Sequence, residues 1–445
     1  MSRLLTFLFL IPLWVPAQQL RLSANGRFLE TTAGEPFLYL GDTAWELFHR
    51  LNREEATAYL ENRAAKGFSV IQAVVLAELD GLHSPNPYGH LPLLNDDPGK
   101  PNEAYFQHVD YIVQEAERLG LVIGMLPTWG DKFNKKWGVG PEIFTEENAK
   151  TYGEFLGKRY RNAAIIWILG GDRSPEEAED YTIIRAMAQG LAAGDEGSHL
   201  MTYHPMGGNK SYEYFGEDQW IDFHMFQSGH GSSGNKNYQI TTEGYQLSPT
   251  KPVLDGEPCY EDHPINWNSA NGWFDEFDAR RAAWWSFLSG ACGHTYGNHN
   301  IWQMWQEGRA PISQARTSWD IAMNYPGAFQ IGYMGIFLRK YAWQTLTPAQ
   351  GMIAAGPNTE GKDIRAAKAG DGSLVMVYAP WGSTFSLHVD QLAKGKREAS
   401  WFNPRMGEII ELHDLPEPQT NMTFDPPADE EEGNDWVLVI SVTKP

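Results

Sequence analysis

The sequence predicts an α/β protein, a (β/α)8 TIM-type barrel with a small C-terminal antiparallel β-sandwich domain. Three observations carry this reading. From about residue 37 to 299, short apolar, β-rich runs alternate with longer helical patterns, the signature of βα units that build a parallel sheet. Eight such runs occur, the number that closes a barrel. After about residue 350 the helical patterns stop, and short strands with turn residues between them take over. A length of 445 residues also exceeds the roughly 250 of a typical barrel by enough for a second unit.

Taken in order, the first 17 residues combine a basic Arg3, an apolar run over 4–15, and Pro16-Ala17 before polar Gln18. This is the layout of a signal peptide, and the apolar run is too short to stay in a bilayer as a spanning helix. Residues 18–345 are read as the barrel unit, opened by a β-hairpin that turns at Asn25-Gly26 and caps the barrel's base or side. Strands are expected at 37–42, 68–75, 121–127, 164–172, 199–205, 220–227, 252–258 and 293–299. Between them the pattern predicts helices at 53–66, 103–119, 146–159, 177–192 and 275–291, several of which start with acidic residues and end near Gly. A helix at 313–323 and a connecting stretch through Trp343 lead into residues 350–445, where strands are expected at 363–369, 373–380, 384–389, 408–412 and 436–442.

A formal net charge of -21 argues against nucleic acid or an anionic membrane surface as partner, since the mean field repels both. No later segment is apolar for long enough to cross a membrane, so the expectation is a soluble chain, secreted or periplasmic, with no membrane contact after export. Cys259 and Cys292 fall at opposite ends of neighbouring strands, on the order of 15 Å apart at about 3.3 Å per strand residue. That lies beyond disulfide reach, and two free thiols are expected.

Active sites of such barrels lie at the C-terminal ends of the strands, where polar residues carry chemical weight. Asp172 ends the fourth strand behind Gly170 and Gly171; a plain helix N-cap is the alternative reading. In the seventh strand Asp255 and Glu257 share a face by the period of two, with Glu257 outermost; a salt-bridge partner is the alternative there. Together, carboxylates ending strands four and seven stand across one pocket. Glycoside hydrolysis needs this pairing, with one carboxyl protonated to assist the leaving oxygen and the other ionised. Asp42, Trp45, Gln72, Trp129, His204, Tyr296 and Asn298 sit at the same rim as candidate substrate contacts, and His294, His299 and Trp302 crowd the eighth strand. Singly, each is more often packing than binding.

Rival chemistries find less support. The segment 229–234, GHGSSG, fits a bare G-x-G-x-x-G pattern but follows a sixth strand and leads into polar residues, so it reads as a flexible rim loop. There is no H-E-x-x-H, P-loop or G-x-S-x-G pattern. His204, His224 and His230 lie near strand ends without ligand spacing. No metal and no cofactor are expected, and the expected partner is a poly- or oligosaccharide.

GDTAW at 41–45, IIWILGGD ending at Asp172, and DGEPCYE at 255–261, in that order, resemble the apiosidase-like catalytic domain of glycoside hydrolase family 140. Members of that family often carry a C-terminal β domain named for collagen binding, and the resemblance covers nearly the whole mature chain. It implies Asp172 as general acid/base, Glu257 as catalytic nucleophile, a retaining mechanism, and action on apiose in the pectin rhamnogalacturonan-II. Another glycosidase specificity on the same barrel, or a non-catalytic glycan-binding protein, are the alternatives. The collagen-binding label is not read as a function, because a sandwich packed on a barrel more often buttresses it.

Overall fold

In the computed structural model, which describes residues 19–443 apart from 358, 360 and 413–419, the chain opens as a three-stranded antiparallel sheet. Its strands are β1 (Leu20–Leu22), β2 (Leu29–Thr31) and β3 (Pro36–Phe37). The segment 1–17, expected as a signal peptide, lies outside the described residues. Gly26 at the turn has a φ of +67°, the left-handed conformation that glycine adopts without cost. Leu20, Leu29 and Phe37 pack against Val70, Val122, Leu200, Leu254 and Cys292, which lie at the starts of the parallel strands. The hairpin therefore seals the end of the fold opposite the strand tips.

Eight parallel-type strands follow: β4 (Tyr39–Thr43), β5 (Val70–Leu76), β6 (Val122–Thr128), β7 (Ile165–Gly170), β8 (Met201–His204), β9 (His224–Phe226), β10 (Val253–Asp255) and β11 (Gly293–Tyr296). All eight runs read from the sequence become strands, but they do not form one closed ladder. Six of them make a curled sheet in the order β11-β4-β5-β6-β7-β8, while β9 and β10 pair only with each other. At one seam Asp222 N donates to Met201 O at 2.9 Å and its carboxylate accepts from Met201 N at 2.7 Å, a side chain standing where a ladder bond would be. At the other, a lone bond from Cys292 N to Val253 O spans β10 and β11. Gly256 and Pro258 end β10 after three residues, too few to extend the register. Cys259 and Cys292 are both buried free thiols.

The expected helix at 313–323 shrinks to one turn, Trp319–Ala322, and a 13-residue helix, Pro326–Leu338, occupies what reads in sequence as a connection. Its sequence, PGAFQIGYMGIFL, shows no amphipathic stripe because residues on its exposed face, Phe329 and Ile336, are apolar like those on its buried face. Pro326 suits the first turn, where the missing N–H costs nothing. Glycines bring its backbone close to its neighbours: a Cβ at Gly332 would lie 2.2 Å from Lys66 O.

The C-terminal strands are β12 (Leu346–Pro348), β13 (Ile353–Ala355), β14 (Arg365–Ala369), β15 (Leu374–Ala379), β16 (Phe385–His388), β17 (Lys396–Asn403), β18 (Glu408–Leu412), β19 (Asn421–Phe424) and β20 (Trp436–Thr443). They form an antiparallel six-stranded sheet, β12-β14-β15-β20-β17-β18, and a three-stranded one, β13-β16-β19. The period of two sorts the central strands between two cores. Val375, Val377, Leu438 and Ile440 join the core between the sheets, with Phe385, Trp401 and Phe424. Leu374, Met376, Tyr378, Val437 and Val439 face the other way, onto Trp284, Ile331 and Phe337 of helices Glu276–Leu288 and Pro326–Leu338. The rings of Phe337 and Phe402 stack at 3.9 Å across this contact.

One ion pair locks the two units together. Arg280 donates to both carboxylate oxygens of Asp435, at 2.8 and 2.6 Å, and Tyr378 Oη donates to the same carboxylate at 3.0 Å, all fully buried. Asp435→Ala strands a buried guanidinium and is expected to cost about 3–5 kcal/mol, read as a lowered midpoint in chemical denaturation.

Candidate active site

β7 is apolar until its end because both faces are packed; the chain then turns at its last residue and the two that follow. Gly170, Gly171 and Asp172 all take positive φ, at 100°, 86° and 53°. A Cβ at Gly170 would lie 2.3 Å from His204 O, and one at Gly171 2.9 Å from Trp129 Cα, so only glycine lets the chain turn here. The turn aims Asp172 into a cavity of about 640 Å³ that Glu257 also lines. Asp172, a non-glycine residue held at positive φ, marks strain at the point where chemistry is expected.

Glu257 follows β10 by two residues. Asp255 does not share its direction: it is bonded to Ser228 Oγ at 2.7 Å and Asn237 Nδ2 at 3.0 Å, on the helix side. The strand ends at Asp255, so the period of two stops there and the predicted common face is lost. Glu257 instead meets two histidines. His230 Nε2 hydrogen-bonds its Oε1 at 3.0 Å, and His204 Nε2 lies 3.0 Å from Oε2, out of line for a straight hydrogen bond. Asp172 N donates to His204 Nδ1 at 3.1 Å, which leaves the proton on Nε2, the nitrogen facing Glu257. One imidazole thus touches both carboxylate-bearing segments.

The two carboxyls are driven apart in acidity. Burial raises Asp172, the Glu257 charge raises it further, and His204, Arg173 and the Trp137 Nε1–H donated to Oδ2 at 3.2 Å pull it back only in part, leaving it at about 7. Burial also acts to raise Glu257, but His204 and His230 outweigh it and hold this carboxyl well below the usual range. A pair separated in this way supplies an acid and an anion in one pocket at neutral pH.

The remaining expected contacts divide. Trp45 and Trp129 line the cavity, 5.4 Å apart at their ring centroids, with the edge of His204 against Trp45. His204 lies beneath Glu257, as described. Gln72 does not reach the cavity; it donates from Nε2 to Gly256 O at 2.9 Å and accepts from Tyr39 Oη at 3.1 Å, bracing the backbone beside Glu257. Asp42 is spent on Tyr59 and Arg63 in the helix layer, so its expected place among the sugar contacts is corrected. Tyr296 turns the same way and donates to Glu261, and Asn298 caps the short helix His299–Trp302 through Asn300 N at 2.9 Å; neither lines the cavity. A residue at a strand tip can point inward or outward, and these three point outward or along the chain.

Other cavity residues come from loops. Trp137 lies over Arg173, 3.8 Å from guanidinium carbon to ring centroid. Trp267, at positive φ and half exposed, stands on edge against His263. Glu78 follows β5, and the 229–234 loop is tied down by a bond from Gly229 N to Glu257 O at 3.0 Å. Trp137 sits in a polar, Gly-rich stretch with no periodicity, and Glu78 in the loop that follows β5. Neither carries a sequence signal beyond its residue type. His224 lies away from the cavity against Tyr212, and among the described residues no group of three or more His, Cys, Asp or Glu is placed to hold a metal ion.

The chain matches the family model "Apiosidase-like, catalytic domain" over residues 23–345 and a model for a collagen-binding-like domain of a collagenase over 347–441. A solved structure titled "Glycoside hydrolase" is 30% identical, with a TM-score of 0.87, over 96% of this chain and 97% of that one. A glycoside hydrolase family 5 structure from Bacteroides vulgatus is 29% identical, with a TM-score of 0.86, over 95% of this chain and 93% of that one. A family 5 mannosidase from Rhizomucor miehei shares the fold alone, at 14% identity and a TM-score of 0.54, over 73% of this chain and 98% of that one. No curated protein matches.

Proposed function

The chain belongs to the apiosidase-like family and is a glycoside hydrolase, and from that premise we propose that it acts as a member of glycoside hydrolase family 140, releasing apiose-linked sugar from pectic glycan by a retaining mechanism. The observation that carries the mechanism is the opposed acidity of Asp172 and Glu257 in a single cavity. In this reading Asp172 gives its proton to the leaving oxygen while Glu257 attacks the anomeric carbon. The glycosyl–enzyme ester is then hydrolysed by water that Asp172, now a base, deprotonates. Trp45 and Trp129 wall the sugar, and Trp137 and Trp267 flank its entry. The C-terminal unit from about residue 350 braces helices Glu276–Leu288 and Pro326–Leu338, and the protein works outside the cytoplasm after loss of residues 1–17.

The test is incubation of the mature chain with rhamnogalacturonan-II and a set of pectic oligosaccharides, followed by chromatography of the released sugars. An apiose-bearing product is the expected result. Cleavage of some other glycan with every pectic substrate untouched would remove the substrate assignment and keep the two-carboxylate chemistry.

A further inference from the structure

Glu78 is the third carboxyl of the cavity, and the two catalytic carboxyls do not explain it. It lines the same space as Asp172 and Glu257, two residues beyond the end of β5. Its backbone is fixed on both sides: Lys132 Nζ donates to Ala77 O at 2.8 Å, and Leu79 N donates to Glu46 Oε1 at 3.2 Å. The carboxyl itself has no hydrogen bond or ion pair among the described residues. The side chain is half-buried, and its unpartnered carboxyl is available to a ligand in the cavity that it lines.

The charged groups facing it are committed elsewhere. Glu46 is bonded to His49 at 2.6 Å as well as to Leu79 N. Asp131 is paired with Lys132 at 2.7 Å and accepts from Gly140 N at 2.8 Å. Arg173 spends its donors on the backbone oxygens of Asn134, Asp172 and Trp137, at 2.8, 2.6 and 2.5 Å. Asp172 and Glu257 complete the set. Among the described residues no Lys or Arg lines the cavity, so an anionic sugar entering it would meet three carboxyls.

Resting on the glycosidase reading, we propose that Glu78 is a substrate-binding residue whose carboxyl hydrogen-bonds a hydroxyl of a neutral sugar, in a cavity whose charge disfavours a sugar carboxylate. Burial and the surrounding carboxylates Asp172, Glu46, Asp131 and Glu257 all favour its protonated form. A neutral carboxyl both donates and accepts, as a sugar hydroxyl does, while the Glu257 anion in the same cavity repels a sugar carboxylate.

Binding is separated from turnover by titrating D-apiose, D-galactose and D-galacturonate calorimetrically into Glu257→Gln chain, alone and combined with Glu78→Gln or Glu78→Ala. At least one neutral sugar is expected to bind more tightly than galacturonate. Glu78→Ala should weaken it by about 10- to 150-fold, the range of one buried hydrogen bond, and Glu78→Gln by no more than about threefold, since an amide also donates and accepts. Unchanged melting temperatures would show that the fold is intact. The proposal is overturned if Glu78→Ala binds like its parent, if Glu78→Gln is as weak as Glu78→Ala, or if no sugar binds. Failure of the wild-type chain to hydrolyse any glycan, with Glu78-dependent sugar binding intact, would remove the glycosidase reading and leave this site standing.

Discussion

Glu257→Ala is expected to lower kcat by on the order of 10^4-fold or more, with the melting temperature and sugar binding retained. The side chain is buried, yet it is not a structural ion pair: two histidines contact its oxygens while its remaining face opens on the cavity. Those contacts favour the anion against the cost of burial, a use of binding energy that makes sense only if a developing positive charge is to be met there. The truncated pocket also tests the stereochemical course. If Glu257 forms a glycosyl ester, azide filling the space left by its carboxyl will restore turnover of an aryl glycoside and yield a glycosyl azide of inverted configuration. The anomer first released by the wild-type chain, read by NMR, fixes the course: net retention is expected, and net inversion would assign Glu257 as a base for water.

The parts of this site that the sequence discloses are those where residue type and position act together. Asp172 is legible because an apolar strand that ends in Gly-Gly-Asp has few structural reasons to do so. Glu257 is legible because it closes a short strand beside Pro258. Asp42, Tyr296 and Asn298 mislead for one physical reason. Strand tips meet the helix layer on one side and the cavity on the other, so a polar residue there can turn away from the cavity, as Asp42 does to Arg63 and Tyr296 to Glu261, while Asn298 turns along the chain to cap the next helix. The period of two cannot separate these cases once a strand has ended, which is how Asp255 and Glu257 part. Helix Pro326–Leu338 is hidden in the opposite way. Packed on the strand layer and the C-terminal sheet, it carries apolar Phe329 and Ile336 even on its exposed side, and so lacks the polar face by which helices are recognised.

Asp172→Ala is the second large effect, and its size should depend on the leaving group. An alkyl or sugar leaving group needs the proton, so hydrolysis of oligosaccharides is expected to fall by about 10^2- to 10^4-fold. An activated dinitrophenyl glycoside departs without help, and its first step should be nearly unaffected. The pH dependence follows from the sign of the shift. Because burial and the Glu257 charge raise Asp172 to about 7, the acid is present below that pH, and kcat/KM should fall as pH rises through it. The depressed acidity of Glu257 places the opposite limb at low pH, where protonation removes the anion. Glu261 is also raised to about 7, but it lies behind Tyr296 and Gly327 N, outside the cavity, and should not govern the rate. The two are told apart by the pH profile of the Asp172→Ala variant on oligosaccharides. If Asp172 is the acid, the basic limb on oligosaccharides vanishes in Asp172→Ala, whereas a limb that survives unchanged at about 7 would move the acid role to another group.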